Sequence, residues 1–113
     1  MSQFKFSVGP WNVHPGADSY GPETRKDIPI EEKFKKFAEL GFSAVQFHDD
    51  DAVPNINDYT EEEIKEKARE MKALLDKYGL AAEFVAPRLW MDPHTIDGGF
   101  MSTRAEDREY AMW

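Results

Sequence analysis

The chain has 113 residues, enough for one small domain with a single core, and sets 22 Asp and Glu against 14 Lys and Arg for a formal net charge of −8. That surplus of negative charge argues against nucleic acid and anionic membranes as partners. Cysteine is absent, so neither a disulfide framework nor a thiolate metal site is available; no apolar run spans a bilayer and Met1 to Lys5 lacks signal-peptide character, so the expectation is a soluble cytoplasmic protein.

Phe4 to Val8 alternates apolar and polar residues, and this period of two predicts a strand ended by Gly9-Pro10-Trp11. Asn12 to Asp27 is rich in Gly, Pro, Asp and Ser and reads as a long loop, of the kind compact domains use for function or for reaching a partner. Pro29 opens a helix, where its missing N–H costs nothing. Ile30, Phe34, Phe37 and Leu40 fall three and four apart and predict one apolar face, with Gly41 as the stop. Phe42 to Phe47 follows at once as a second strand. Alternation puts Val45 and Phe47 on one face and Ala44, Gln46 and His48 on the other.

That strand closes on Phe47-His48-Asp49-Asp50-Asp51, the most informative stretch of the chain. A histidine and three carboxylates are costly at the end of a buried strand. Charges belong there when a site lies just beyond the carboxyl ends of parallel strands. An imidazole whose tautomer and basicity are set by a nearby carboxylate moves protons near neutral pH, which makes His48 and Asp51 the candidate catalytic pair. Asp49 and Asp50 read as structural, because consecutive residues cannot all point at one ion. The bland alternative for the whole stretch is a helix or loop cap whose carboxylates bind only backbone N–H groups.

Ala52 to Asp58 reads as a loop, and Thr60 with Glu63 as a capping box. Ile64, Ala68, Met71, Leu75 and Tyr78 form the apolar stripe of the next helix, backed by a ladder of charges at i,i+4 and ended by Gly79. Leu80 to Ala86 is a short third strand, stopped by Pro87. Arg88 suits a salt bridge to a loop carboxylate better than contact with a substrate oxygen. His14 and His94 read as surface loop residues, and Asp97-Gly98-Gly99 as a tight turn. Thr103 and Glu106 form a second capping box, opening a final helix.

Strand, loop and helix recur three times, the βαβ order of a parallel sheet with right-handed crossovers. Loops after strands are long, whereas a single glycine follows each of the first two helices. Function is therefore expected at the carboxyl ends of the strands, where Trp11, His48, Asp51, Arg88 and Trp90 gather. Eight Phe, four Tyr and three Trp exceed what so small a scaffold needs, and aromatic walls suit sugars. Three such units leave two raw sheet edges and one uncovered face, formed by Ala44, Gln46 and His48 with Ala82, Phe84 and Ala86. The predicted fold is α/β, the N-terminal portion (about three βα units) of a (β/α)8 TIM barrel, with residues 1–113 a single incomplete domain.

Taken in order, several of these stretches resemble the xylose isomerases, of the type without an N-terminal extension. The resemblance covers nearly the whole chain and corresponds to the first three βα units of that family's barrel. It is carried by Phe6 through Trp11, Gly21, Thr24-Arg25, Ala38-Glu39-Leu40-Gly41 and Phe47-His48-Asp49-Asp50-Asp51 with Pro54. Pro93, Asp97-Gly98-Gly99-Phe100, Arg108, Tyr110 and Ala111 complete it. The resemblance implies an aldose–ketose isomerase that converts D-xylose to D-xylulose, and D-glucose to D-fructose, by ring opening and a metal-assisted 1,2-hydride shift. It implies two divalent cations (magnesium, manganese or cobalt) with ligands on later strands. This chain alone is expected to hold no metal tightly and to be inactive. His48 matches the histidine that assists ring opening, and Asp51 the carboxylate that holds this imidazole. Trp11 and Trp90 match aromatic walls of the sugar site, although the family usually has Phe at the second. Tyr20 matches a loop Phe that reaches into the neighbouring subunit's site, which implies a homodimer or homotetramer. Ala86 and Phe84 stand where many members carry Thr and Met, and His14-Pro15 where a second Trp is usual; these departures bear on which sugar is preferred. Other readings are a related sugar isomerase or epimerase on the same barrel, and a non-catalytic truncated or self-assembling fragment. The apurinic-site endonuclease branch of the same superfamily is disfavoured by the acidic charge.

Overall fold

Val45 and Phe47, two residues apart on one strand, are fully buried, and the packing is organised around them. The computed structural model describes residues 4–16 and 22–112. Three parallel strands, β1 (Ser7–Val8), β2 (Ala44–His48) and β3 (Ala81–Ala86), lie side by side in chain order. Helix α1 (Ile30–Glu39) follows β1, α2 (Asp49–Ala52) and α3 (Glu61–Lys77) follow β2, and α4 (Ala105–Met112) follows β3. The chain is therefore a mixed α/β structure with the expected strand and helix order.

The core lies between one face of the sheet and helices α1 and α3. Phe34 and Phe37 descend from α1 and Leu75 from α3 onto Val8, Val45, Phe47 and Leu80. Phe34 meets Phe47 edge to face, with ring centroids 6.0 Å apart. Glu31 and Glu32 sit in the first turn of α1, where they complement the positive end of the helix. Glu31 also receives the Tyr78 hydroxyl and pairs with Lys77, tying the start of α1 to the end of α3. Thr60 and Glu63 close a capping box on α3: the Thr60 N–H donates to Glu63 Oε2 at 2.8 Å and the Glu63 N–H to Thr60 Oγ1.

Several expectations need correction. Leu40 is 65% exposed and lies off the α1 face. At 100° per residue it sits roughly 90° around the helix from the line of Ile30, Phe34 and Phe37. Ala68 is likewise exposed, and Leu74 joins Met71 against the core in its place. Strand β1 holds only Ser7 and Val8, and Phe4 and Phe6 remain exposed. Ala52, expected at the start of a loop, instead closes a single helical turn, Asp49–Ala52. The last helix is not opened by a Thr103–Glu106 box. Glu106 pairs with Arg104 instead, and the Ser102 hydroxyl donates to the buried Asp107 carboxylate at 2.9 Å.

The other face of the sheet carries no helix in the core packing. Its register slips between Val45 and Gln46, where β3 contributes an extra residue opposite β2. Strict alternation would send Glu83 to the helix side. The irregularity instead brings it to Gln46, whose amide donates to Glu83 Oε2 and to Ser7 Oγ, both at 2.8 Å. The Ser7 hydroxyl and the Gln46 amide hold the Glu83 carboxyl below its usual range. A polar row thus crosses all three strands on the open face. Strand β3 is exposed along most of its length, with Phe84 46% and Val85 54% accessible. The radius of gyration is 16.0 Å, against about 13 Å for a closed domain of this length. Among the described residues, no helix is long and apolar enough to cross a membrane.

Candidate active site

The carboxyl ends of β2 and β3 carry a dense group of polar and aromatic side chains. His48 is the last residue of β2 and the N-cap of α2, in extended conformation. Because α2 begins at once, Asp49, Asp50 and Asp51 form its first turn, where backbone N–H groups lack intrahelical partners. Asp51 turns back three residues: its Oδ2 accepts the His48 backbone N–H at 3.1 Å and lies 3.1 Å from His48 Nδ1. The capping role and the histidine contact, set against each other in the sequence, are made by the same oxygen.

Asp49 performs a different task. Its Oδ1 accepts the N–H of Asp50 at 2.9 Å and that of Arg88 at 3.1 Å, so it joins the start of α2 to the chain leaving β3. This fixes Arg88 over the acidic turn. Arg88 Nη2 lies 3.2 Å from Asp51 Oδ2 and 2.9 Å from His48 Nδ1. Arg88 Nε lies 2.9 Å from Asp50 Oδ1, off the N–H direction, so that pair meets by charge without a hydrogen bond. Burial pushes the Asp50 carboxyl above its usual range, Arg88 opposes that, and the Asp51 and Asp49 charges add to it. The salt bridge expected of Arg88 is present, and the same guanidinium also reaches the histidine ring.

Two indoles flank the imidazole. Trp11, in the 3₁₀ turn Pro10–Asn12 after β1, has its ring centroid 4.7 Å from that of His48 at an interplanar angle of 43°. Trp90, 57% exposed, stands edge-on to the same ring at 5.2 Å and 86°. Thus Trp11, His48, Asp51, Arg88 and Trp90 come from the ends of all three strands to one place. Tyr20 lies outside the described residues. A hollow of about 620 Å³ is lined by Trp11, Asn12, His14 and Arg25, not by His48 or Trp90. A second of about 350 Å³ is bounded by Asp50, Asn57, Arg88 and Asp92. The site is therefore an open shelf with a cleft on either hand. No protein-family model matches this chain.

A second cluster lies beyond Asp92. The Asn57 amide donates to Asp92 Oδ2 at 2.7 Å, Tyr110 Oη lies 3.0 Å from the same oxygen, and the His94 N–H donates to Asp92 Oδ1 at 2.8 Å. Burial works to raise the Asp92 carboxyl, but these bonds outweigh it and hold it below the usual range. Burial and the Asp92 carboxylate push Tyr110 up to about 12. His94 is exposed, as expected, yet its ring stacks on Tyr110 at 4.4 Å. The cluster pins the loops after β2 and β3 to α4. Sequence reading missed it, since no spacing links Asn57, Asp92 and Tyr110.

The acidic turn does not suit the divalent cations implied by the resemblance. One oxygen each of Asp49 and Asp51 is engaged by backbone N–H groups, and a guanidinium occupies the position facing Asp50 and Asp51. Among the described residues, no three His, Asp or Glu side chains converge as a cation site.

Proposed function

We propose that this chain is the N-terminal part of a xylose isomerase-like TIM barrel and that its shelf receives a cyclic aldose. One observation carries this reading: His48 stands at a strand's carboxyl end with its ring between two tryptophans and its Nδ1 beside a carboxylate. Apolar ring faces suit the C–H faces of a sugar, while an imidazole near neutrality suits proton transfer to or from its oxygens. His48 then assists ring opening, with the Asp51 carboxylate beside the imidazole and Trp11 and Trp90 forming the walls. No step is assigned to a metal on these residues. A polar open sheet face, an exposed third strand and a large radius of gyration support the partial barrel, since further strands would cover that face. Reaction on D-xylose, a cytoplasmic location and a dimeric or tetrameric assembly belong to this same reading.

The test is a chimera in which these residues replace the matching units of a xylose isomerase. It should isomerise D-xylose, and His48→Asn should slow use of cyclic sugar more than of open-chain sugar. Equal losses on both substrates would remove the ring-opening role, and a folded but inactive chimera would remove the family reading.

The exposed length of β3, with Phe84 and Val85 open to solvent, favours a second reading: a self-assembling piece that pairs its edges. Light scattering would show a defined oligomer of the 113-residue chain, formed without metal.

A further inference from the structure

His48 Nδ1 has two neighbours that ask opposite things of it. Asp51 Oδ2, at 3.1 Å, needs a proton on Nδ1 for a hydrogen bond; Arg88 Nη2, at 2.9 Å, needs a lone pair there. One ring nitrogen presents one or the other, never both. The accounting of donors decides between them. Asp51 Oδ2 already takes the His48 backbone N–H at 3.1 Å and has the Arg88 charge 3.2 Å away at Nη2, so it has a donor and a cation without the imidazole. Arg88 Nη2 carries two hydrogens and no lone pair to offer, and its guanidinium does not deprotonate in proteins. With a lone pair on Nδ1, Nη2 donates a hydrogen to His48 while the guanidinium charge still faces Asp51 Oδ2. With a proton on Nδ1, two N–H groups face each other across 2.9 Å. Asp49 and Asp50 stop the arginine from swinging away, the first by accepting its backbone N–H and the second by its charge against Nε.

We infer that Arg88, not Asp51, sets the tautomer of His48, leaving the ring proton on Nε2. Arg88 is then a positioning residue: it acts on the imidazole and leaves the sugar to other groups. The imidazole consequently meets a ligand as a hydrogen-bond donor at Nε2. The atom it recognises must be an acceptor, such as the ring oxygen of a cyclic sugar. An Asp–His pair without the arginine does the reverse, placing the proton on Nδ1 and a basic lone pair on Nε2. The consequence for sugars rests on the proposed function, but the tautomer does not.

Long-range ¹H–¹⁵N NMR of the 113-residue chain, run at a pH above the histidine range, reads the tautomer directly. The native His48 should show a protonated Nε2 and a bare Nδ1. Arg88→Met removes the donor at similar volume, and the signature should invert to a protonated Nδ1 paired with Asp51. Asp51→Asn should leave it unchanged. A protonated Nδ1 in the native chain would overturn the inference, as would an unchanged signature in a folded Arg88→Met. Should Arg88→Met fail to fold, the native spectrum still decides. None of these readings depends on isomerase activity. In the chimera, loss of ring-opening activity with the tautomer as stated would sink the functional proposal alone.

Discussion

Gly9 decides where Trp11 lies, and Gly9→Ala tests whether the aromatic wall beside His48 is built by packing. Gly9 has φ −92° and ψ 146°, ordinary extended backbone that alanine adopts without strain. On backbone grounds alone the substitution should stabilise the chain by about 0.4–1 kcal/mol, through the unfolded state. Space argues otherwise. A Cβ on Gly9 would come within 2.1 Å of Trp11 Cε2 and 2.2 Å of Cζ2, because the indole lies flat on the glycine. Carbon atoms prefer about 3.5–4.0 Å, so the indole must retreat by roughly 1.5 Å. Overpacking of this kind costs about 1–3 kcal/mol. The clash should win, with a net loss of about 1 kcal/mol in urea unfolding. The ring should also leave its 4.7 Å contact with His48, and the ring-current shift on the His48 protons should fall. A Gly9→Ala chain at least as stable as the native one, with unmoved His48 resonances, would refute this account of the wall.

Phe34→Ala deletes a fully buried ring from the centre of the core and should cost about 3–5 kcal/mol, enough to unfold a domain this small, as circular dichroism would show. Thr60→Ala removes the α3 cap and should lower stability in urea by about 1 kcal/mol; Thr60→Ser should restore most of it. Asp92, whose carboxyl lies below its ordinary 3.8 in the folded chain, contributes stability that is complete above about pH 4 and is lost as pH falls through the folded value. Asp92→Asn should therefore flatten the acid limb of a stability–pH profile, and an unchanged limb would show that the cluster does not hold this charge. In the same cluster Tyr110 should ionise near pH 12, read by tyrosinate absorbance, and Asp92→Asn should bring that titration down.

The order of elements is legible because burial imposes a period. Val45 and Phe47 alternate with Gln46 and His48, and Phe34 and Phe37 repeat at helical spacing, so strand and helix declare themselves. What the chain hides follows from interactions that have no period. The slip between Val45 and Gln46 depends on a neighbouring strand, and it moves Glu83 to a face that alternation denies it. The turn Asp49–Ala52 is too short to show periodicity; acidic residues at a helix start were the available signal. Arg88 is the most instructive case. Its salt bridge could be expected from charge alone, because a cation beyond β3 lies beside an acidic turn beyond β2 in any parallel sheet that joins them. Its hold on His48 Nδ1 could not, since that needs the Asp49 carboxylate to fix the Arg88 backbone first. A histidine followed by carboxylates predicts an Asp–His pair. Three-dimensional neighbours decide which of its nitrogens carries the proton, and so whether the ring gives a hydrogen bond or takes one.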